Sequence, residues 1–135
     1  TNTGVIQFLG VAAKGLYMPD RIAEYQYHGR NRDKGTEPEG VALANIRGRT
    51  YAFIGLERTL DTAVAVFDIA QPTNVRCLDL IVTPGDRAPA GLAVFHSHGD
   101  HNLAIANEAI DTGQSTSNTS LYRIELSPHS GEDRD

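Results

Sequence analysis

The chain has 135 residues, 40% apolar and 21% charged, a size and mix for about one domain with a core of its own. Its 17 acidic residues outnumber its 12 basic ones, and the net charge of −5 excludes the basic footprint of non-specific nucleic-acid binding. No run of eighteen apolar residues occurs, which excludes a helix spanning a membrane within this stretch. The sequence shows no signal-peptide pattern and no initiator methionine, and the chain is expected to be a mature or excised piece.

In chain order, Val5–Leu9 is a first apolar stretch that fits one strand, punctuated by Gly10 and Gly15. Pro19 then opens a pattern in which Ile22, Glu24 and Gln26 alternate with Ala23, Tyr25 and Tyr27, a strand period that ends at Gly29. Pro38 opens a second copy, with a strand at Val41–Ile46, a tight turn around Gly48 and a β-branched, aromatic strand at Thr50–Gly55. Two further strands follow at Ala63–Ile69 and Val75–Val82, joined by the loop Ala70–Asn74. Pro89 opens the third copy, with strands at Leu92–His96, Asn102–Ala106 and Ser120–Leu126 and an exposed polar loop at Asp111–Thr119. No convincing amphipathic helix occurs in the chain.

These copies keep step. Each proline is followed ten residues later by a glycine: Gly29, Gly48, Gly99. Pro89 follows Pro38 by 51 residues, the spacing that also separates Glu108 from Glu57. A strand–turn–strand unit recurring at roughly this period marks a propeller or another repeat architecture. The expected fold class is all-β, built of antiparallel β-propeller blades, about two and a half in number. Residues 1–127 carry the blades: a truncated unit at 16–37, a full blade at 38–88 and a last blade at 89–127. Residues 128–135 form a charged tail.

Three features carry candidate chemistry. Cys77 is the single cysteine, in the apolar run Val75–Val82, and is expected as a small core residue. Asp33, Glu37 and Glu39 lie in a Gly- and Pro-containing turn, and Glu57 and Glu108 end corresponding strands. Carboxylates in tight loops suit calcium, which makes these five the candidate calcium ligands, although the spacing fits no EF-hand. The segment His96-Ser97-His98-Gly99-Asp100-His101 supplies imidazoles and a carboxylate, the ligands zinc takes, so His96, His98, Asp100 and His101 are the candidate zinc ligands. On a hairpin, His96 and His98 are expected to share a face.

That histidine segment resembles the metal motif of the metallo-β-lactamase superfamily. In that superfamily the motif leads into a helix and a distant histidine completes the site. Here Asn102–Ala106 reads as a strand, only His129 follows, and the repeat puts Gly99 at a hairpin tip. The segment therefore reads as a polar hairpin that offers a surface metal site at most.

Leu16–Asp20, Asp33–Val41, Gly48–Arg58 and Ala106–Glu108 together resemble the choice-of-anchor I domain family over about Leu16 to Leu126. The resemblance implies a secreted or surface-attached bacterial β-propeller, with some members described as alkaline phosphatase-like, and it supplies no catalytic residues. Family members are several times longer, which implies that this chain holds only the C-terminal blades. An incomplete ring exposes sheet edges, so other protein chains, in an oligomer or a larger protein, are expected to complete or extend it.

The expected function is an extracellular, cell-surface or periplasmic module for binding or structural assembly, without catalytic residues and with calcium as its only candidate cofactor. The alternatives are a metal-dependent phosphoester hydrolase on the carboxylates and a zinc hydrolase on His96–His101. No nucleic acid and no membrane span are expected.

Overall fold

The computed structural model describes residues 37–57, 61–108 and 117–126. The expected strands before Pro38, the turn at Gly29, the carboxylate of Asp33, residues 111–116 of the polar loop and the tail 128–135 lie outside the described residues.

Every regular element among the described residues is a strand: β1 (Pro38–Ile46), β2 (Arg49–Leu56), β3 (Thr62–Asp68), β4 (Arg76–Thr83), β5 (Pro89–Ser97), β6 (Asp100–Asn107) and β7 (Asn118–Ile124). They form two antiparallel sheets, one ordered β1-β2-β3-β4 and one ordered β5-β6-β7. Each strand pairs with its neighbour in sequence, so both sheets are meanders. Among the described residues the strands close neither a barrel nor a ring. The fold is thus all-β, as the period-2 patterns require.

The first hairpin of each sheet is built alike. Arg47-Gly48 and His98-Gly99 are two-residue turns with both central residues at positive φ, 54° and 80° in one, 53° and 82° in the other. This is the signature of the type I′ turn, whose twist matches the flanking strands, and glycine takes its second position without steric cost. The likeness extends upstream. Glu37 (φ 49°) and Ala88 (φ 53°) both turn the chain in front of a proline. Their carbonyls accept from the amides of Glu57 and Glu108, at 3.1 and 2.8 Å. A register shift follows each proline, between Pro38 and Val41 and between Pro89 and Gly91.

That irregularity corrects two strand starts. The patterns place them at Val41 and Leu92, whereas β1 and β5 begin at Pro38 and Pro89. Proline has no N–H to give a ladder, but the first residue of a strand beside a bulge does not need one.

The central strands β2 and β3 of the four-stranded sheet are buried on both faces. Residues of β3 from Thr62 to Asp68 are all buried, which is why Ala63–Phe67 is a continuous apolar run and not an alternating one. One face gathers Ala52, Ile54, Leu56, Ala63, Ala65 and Phe67. The other gathers Ala44, Ile46, Tyr51, Phe53, Val64 and Val66, and packs against Leu103 and Ile105 of the second sheet, with Leu92, Val94, Tyr122 and Ile124 around them. Gly40 allows this approach, and Gly55 lies beside Pro89 at ordinary contact distance. A Cβ on Gly40 would lie 3.1 Å from the Ala90 carbonyl oxygen, and one on Gly55 would lie 3.4 Å from the Pro89 ring.

Cys77 departs from its expected place. It is exposed, on the outermost strand β4. The register sets Cys77 opposite the buried Phe67, but β4 is the outermost strand and its residues Arg76 to Asp79 are all exposed. Burial of its surroundings still pushes the thiol pKa up, so it is a poor nucleophile.

Candidate functional site

Four groups of polar side chains are candidates, each held by a different part of the two sheets. The first lies at the seam between them. Asn107, 4% exposed at the end of β6, accepts from Thr62 Oγ1 at 2.6 Å. Its Nδ2 donates to Ser120 Oγ at 2.8 Å and to Asn118 Oδ1 at 3.0 Å. Asn118 donates to Asp86 at 2.7 Å, and Ser120 donates to the same carboxylate. The Asp86 carbonyl accepts from the Thr62 amide at 2.6 Å. Hydrogen bonds from Ser120 and Asn118 outweigh burial and lower the Asp86 pKa. Each polar group of this knot has partners within the protein, so it is built to join β3, β6, β7 and the 84–88 connection. Thr83 and Tyr122 add a hydroxyl–hydroxyl bond between the sheets.

The second group closes the far end of β3. Asp68, 4% exposed, accepts from Arg49 at 2.6 and 3.2 Å, from Arg76 at 3.3 Å and from the Ala70 amide at 2.9 Å. Burial pushes its pKa up, but the Ala70 amide and the two guanidinium groups together win, and the net shift is down. The ion pair in turn raises the Arg49 pKa.

The third group is the histidine segment. Its first half ends β5 and its second half starts β6, because Asp100–Asn107 is a strand and not a helix. The register sets His96 opposite His101. Their Nε2 atoms lie 2.5 Å apart, with ring centroids at 3.8 Å and the rings nearly perpendicular at 82°. The expected pairing of His96 with His98 is thereby corrected. His98 occupies the turn, and its Nδ1 meets Ser97 Oγ at 2.9 Å. A type I′ turn breaks the period-2 alternation, so the residue two places on does not share the face of His96. Asp100 is exposed and stands opposite Ser97.

The fourth group is the carboxylates proposed for calcium. Glu57 is buried and Glu108 exposed, although they end corresponding strands. Glu37 is half-buried before β1, and Glu39 is exposed on it. Among the described residues no three of these or other His, Cys, Asp or Glu side chains gather in a metal-binding group.

One apolar feature completes the picture. Among the described residues the second sheet buries only one of its faces, the one against Val64 and Val66. Its other face carries rows set by register: Ala93, Ala104 and Leu121, then Phe95, Asn102 and Arg123. Leu121 is 68% exposed and Phe95 41%. By the 51-residue repeat, Ala93, Phe95 and Ala104 stand where Ala42, Ala44 and Phe53 stand in the first sheet. In the first sheet that face is covered by the second: Ala44 and Phe53 are buried there.

The knot at Asp86 and Asn107 and the Asp68 cluster were not singled out from the sequence. A usable clue existed for the first: Asn107 occupies the place of Leu56 in the repeat, a polar side chain where the pattern wants an apolar one.

Residues 26–72 match the choice-of-anchor I domain, the family to which the sequence resemblance pointed. The match takes in β1, β2 and β3. No curated protein and no solved structure matches the chain.

Proposed function

We propose that this chain is part of an extracellular, surface-associated β-propeller module that works by binding and assembly, with no catalytic centre. Residues 38–88 and 89–127 are successive blades, and other polypeptide continues the series. The match to the choice-of-anchor I domain supports the surface association.

The observation that carries this reading is the uncovered face of the β5-β6-β7 sheet. The corresponding face of the first sheet lies buried against the next sheet. In the second sheet Ala93, Phe95 and the neighbouring Leu121 are exposed and Ala104 is half-buried, and no such layer lies over them among the described residues. A repeat that stacks the same face on each following unit leaves its last face unsatisfied. The occupant is a further antiparallel blade with an aliphatic rear face, like that formed by Leu92, Val94, Leu103 and Ile105. For the chain alone in solution, another copy supplies it.

Light scattering after size exclusion, over a concentration series, tests this. The wild-type chain should associate with increasing concentration. Ala104→Arg and Leu121→Arg should each return it to a monomer with unchanged circular dichroism. A monomer at every concentration, or association that both substitutions leave intact, would sink the reading.

A further inference from the structure

We propose that His96 and His101 form an open, two-imidazole site for a divalent transition metal, with Cu²⁺ held more tightly than Zn²⁺. The proposal is independent of the assembly reading.

The hairpin preorganises the pair. Register runs from Gly91 opposite Ala106 to Ser97 opposite Asp100, and the type I′ turn closes it immediately beyond the two histidines. No loop has to be ordered for the rings to meet, so little conformational entropy is lost on binding. The two Nε2 atoms already face each other at 2.5 Å. With no metal, one ring donates and the other accepts. On metal binding the donating ring takes the tautomer with its proton on Nδ1, so that the Nε2 lone pairs of both rings face the metal.

Geometry then selects among metals. A metal–imidazole bond is about 2.0–2.1 Å. Two nitrogens at adjacent corners of a square arrangement are therefore about 2.9 Å apart, and at two corners of a tetrahedron about 3.3 Å. The closer tetragonal spacing of Cu²⁺ or Ni²⁺ asks less opening of the facing rings than the wider tetrahedral spacing of Zn²⁺. Intrinsic affinity follows the same order, with Cu²⁺ above Ni²⁺ and Zn²⁺.

Within the described residues no third His, Cys, Asp or Glu joins the pair in a metal-binding group. Water occupies the remaining positions, and the site is a two-point chelate. His98 stands outside the pair, because it occupies the turn while the register sets His96 opposite His101.

The test is calorimetric titration with Cu²⁺ and with Zn²⁺ in a non-coordinating buffer at neutral pH. The parent should carry His28→Gln and His129→Gln, which removes the remaining histidines outside the segment. One equivalent of Cu²⁺ should bind, more tightly than Zn²⁺, and its electron paramagnetic resonance spectrum should show two equivalent nitrogens. His96→Gln and His101→Gln should each weaken binding at least tenfold, whereas His98→Asn should leave it unchanged. Circular dichroism melts verify that each variant is folded. No saturable binding, binding that survives either glutamine, loss with His98→Asn, or tighter Zn²⁺ than Cu²⁺ would each overturn the proposal.

Discussion

Asp68 is a residue whose burial works only because three donors converge on it. The Ala70 amide and the guanidinium groups of Arg49 and Arg76 hold its pKa below the ordinary carboxylate value despite burial. Asp86 is lowered too, by Ser120 and Asn118. A carboxylate with a depressed folded pKa contributes stability that is present above its unfolded value and is lost as pH falls through the folded one. Stability measured by urea denaturation should therefore be level above about pH 5 and should fall below about pH 4. Asp68→Asn should cost about 1.5–3 kcal/mol at neutral pH and flatten part of the acid limb. Asn107 is the matching case without charge. Asn107→Ala should cost about 1–3 kcal/mol in the same denaturation measurement, because Thr62, Asn118 and Ser120 lose a shared partner at the seam. Neither residue could be weighted from the chain alone. Asp68 ends an apolar run much as any strand-terminal aspartate does, and its two arginines lie 19 residues before and 8 after it.

At the scale of the strand and turn, the recurrence of proline, glycine and apolar alternation was enough to place the hairpins. The turn chemistry explains why. A type I′ turn demands positive φ at two successive residues, which puts glycine at a fixed distance from the strand start in both copies. His98 is the costly member, an L-residue with a full side chain at φ 53°. His98→Asn, which suits the left-handed region, should stabilise the protein by roughly 0.5–1 kcal/mol in thermal or urea melts. The pairing of His96 with His101 was not legible, because it depends on where the two-residue turn falls. A shift of one residue would send both rings to the opposite face. The exposure of Cys77 was hidden for another reason: an apolar run does not say which strand will lie outermost in its sheet.

For the whole molecule, stacking of the two sheets decides which faces are core and which are left for others. Gly40 and Gly91 are corresponding residues in this stacking. A Cβ at Gly40 meets the Ala90 carbonyl at 3.1 Å, while one at Gly91 meets only Ala106 at 3.8 Å. Gly40→Val should thus cost about 1–3 kcal/mol in urea melts. Gly91→Val should change the stability of the monomer by less than about 0.5 kcal/mol. If Gly91→Val also weakens association, measured by light scattering, the two glycines serve the same purpose in successive units.

The sequence by itself determined an all-β chain, the two hairpin tips, the 51-residue spacing and the likeness to the choice-of-anchor I domain, because alternation and turn chemistry are local properties. Only the tertiary structure decided that Asp86, Asn107, Asn118 and Ser120 meet, that His96 faces His101, and that Leu121 stands uncovered. Those contacts depend on register, on bulges and on how one sheet lies across the other, and such long-range geometry is set by the summed packing of many residues.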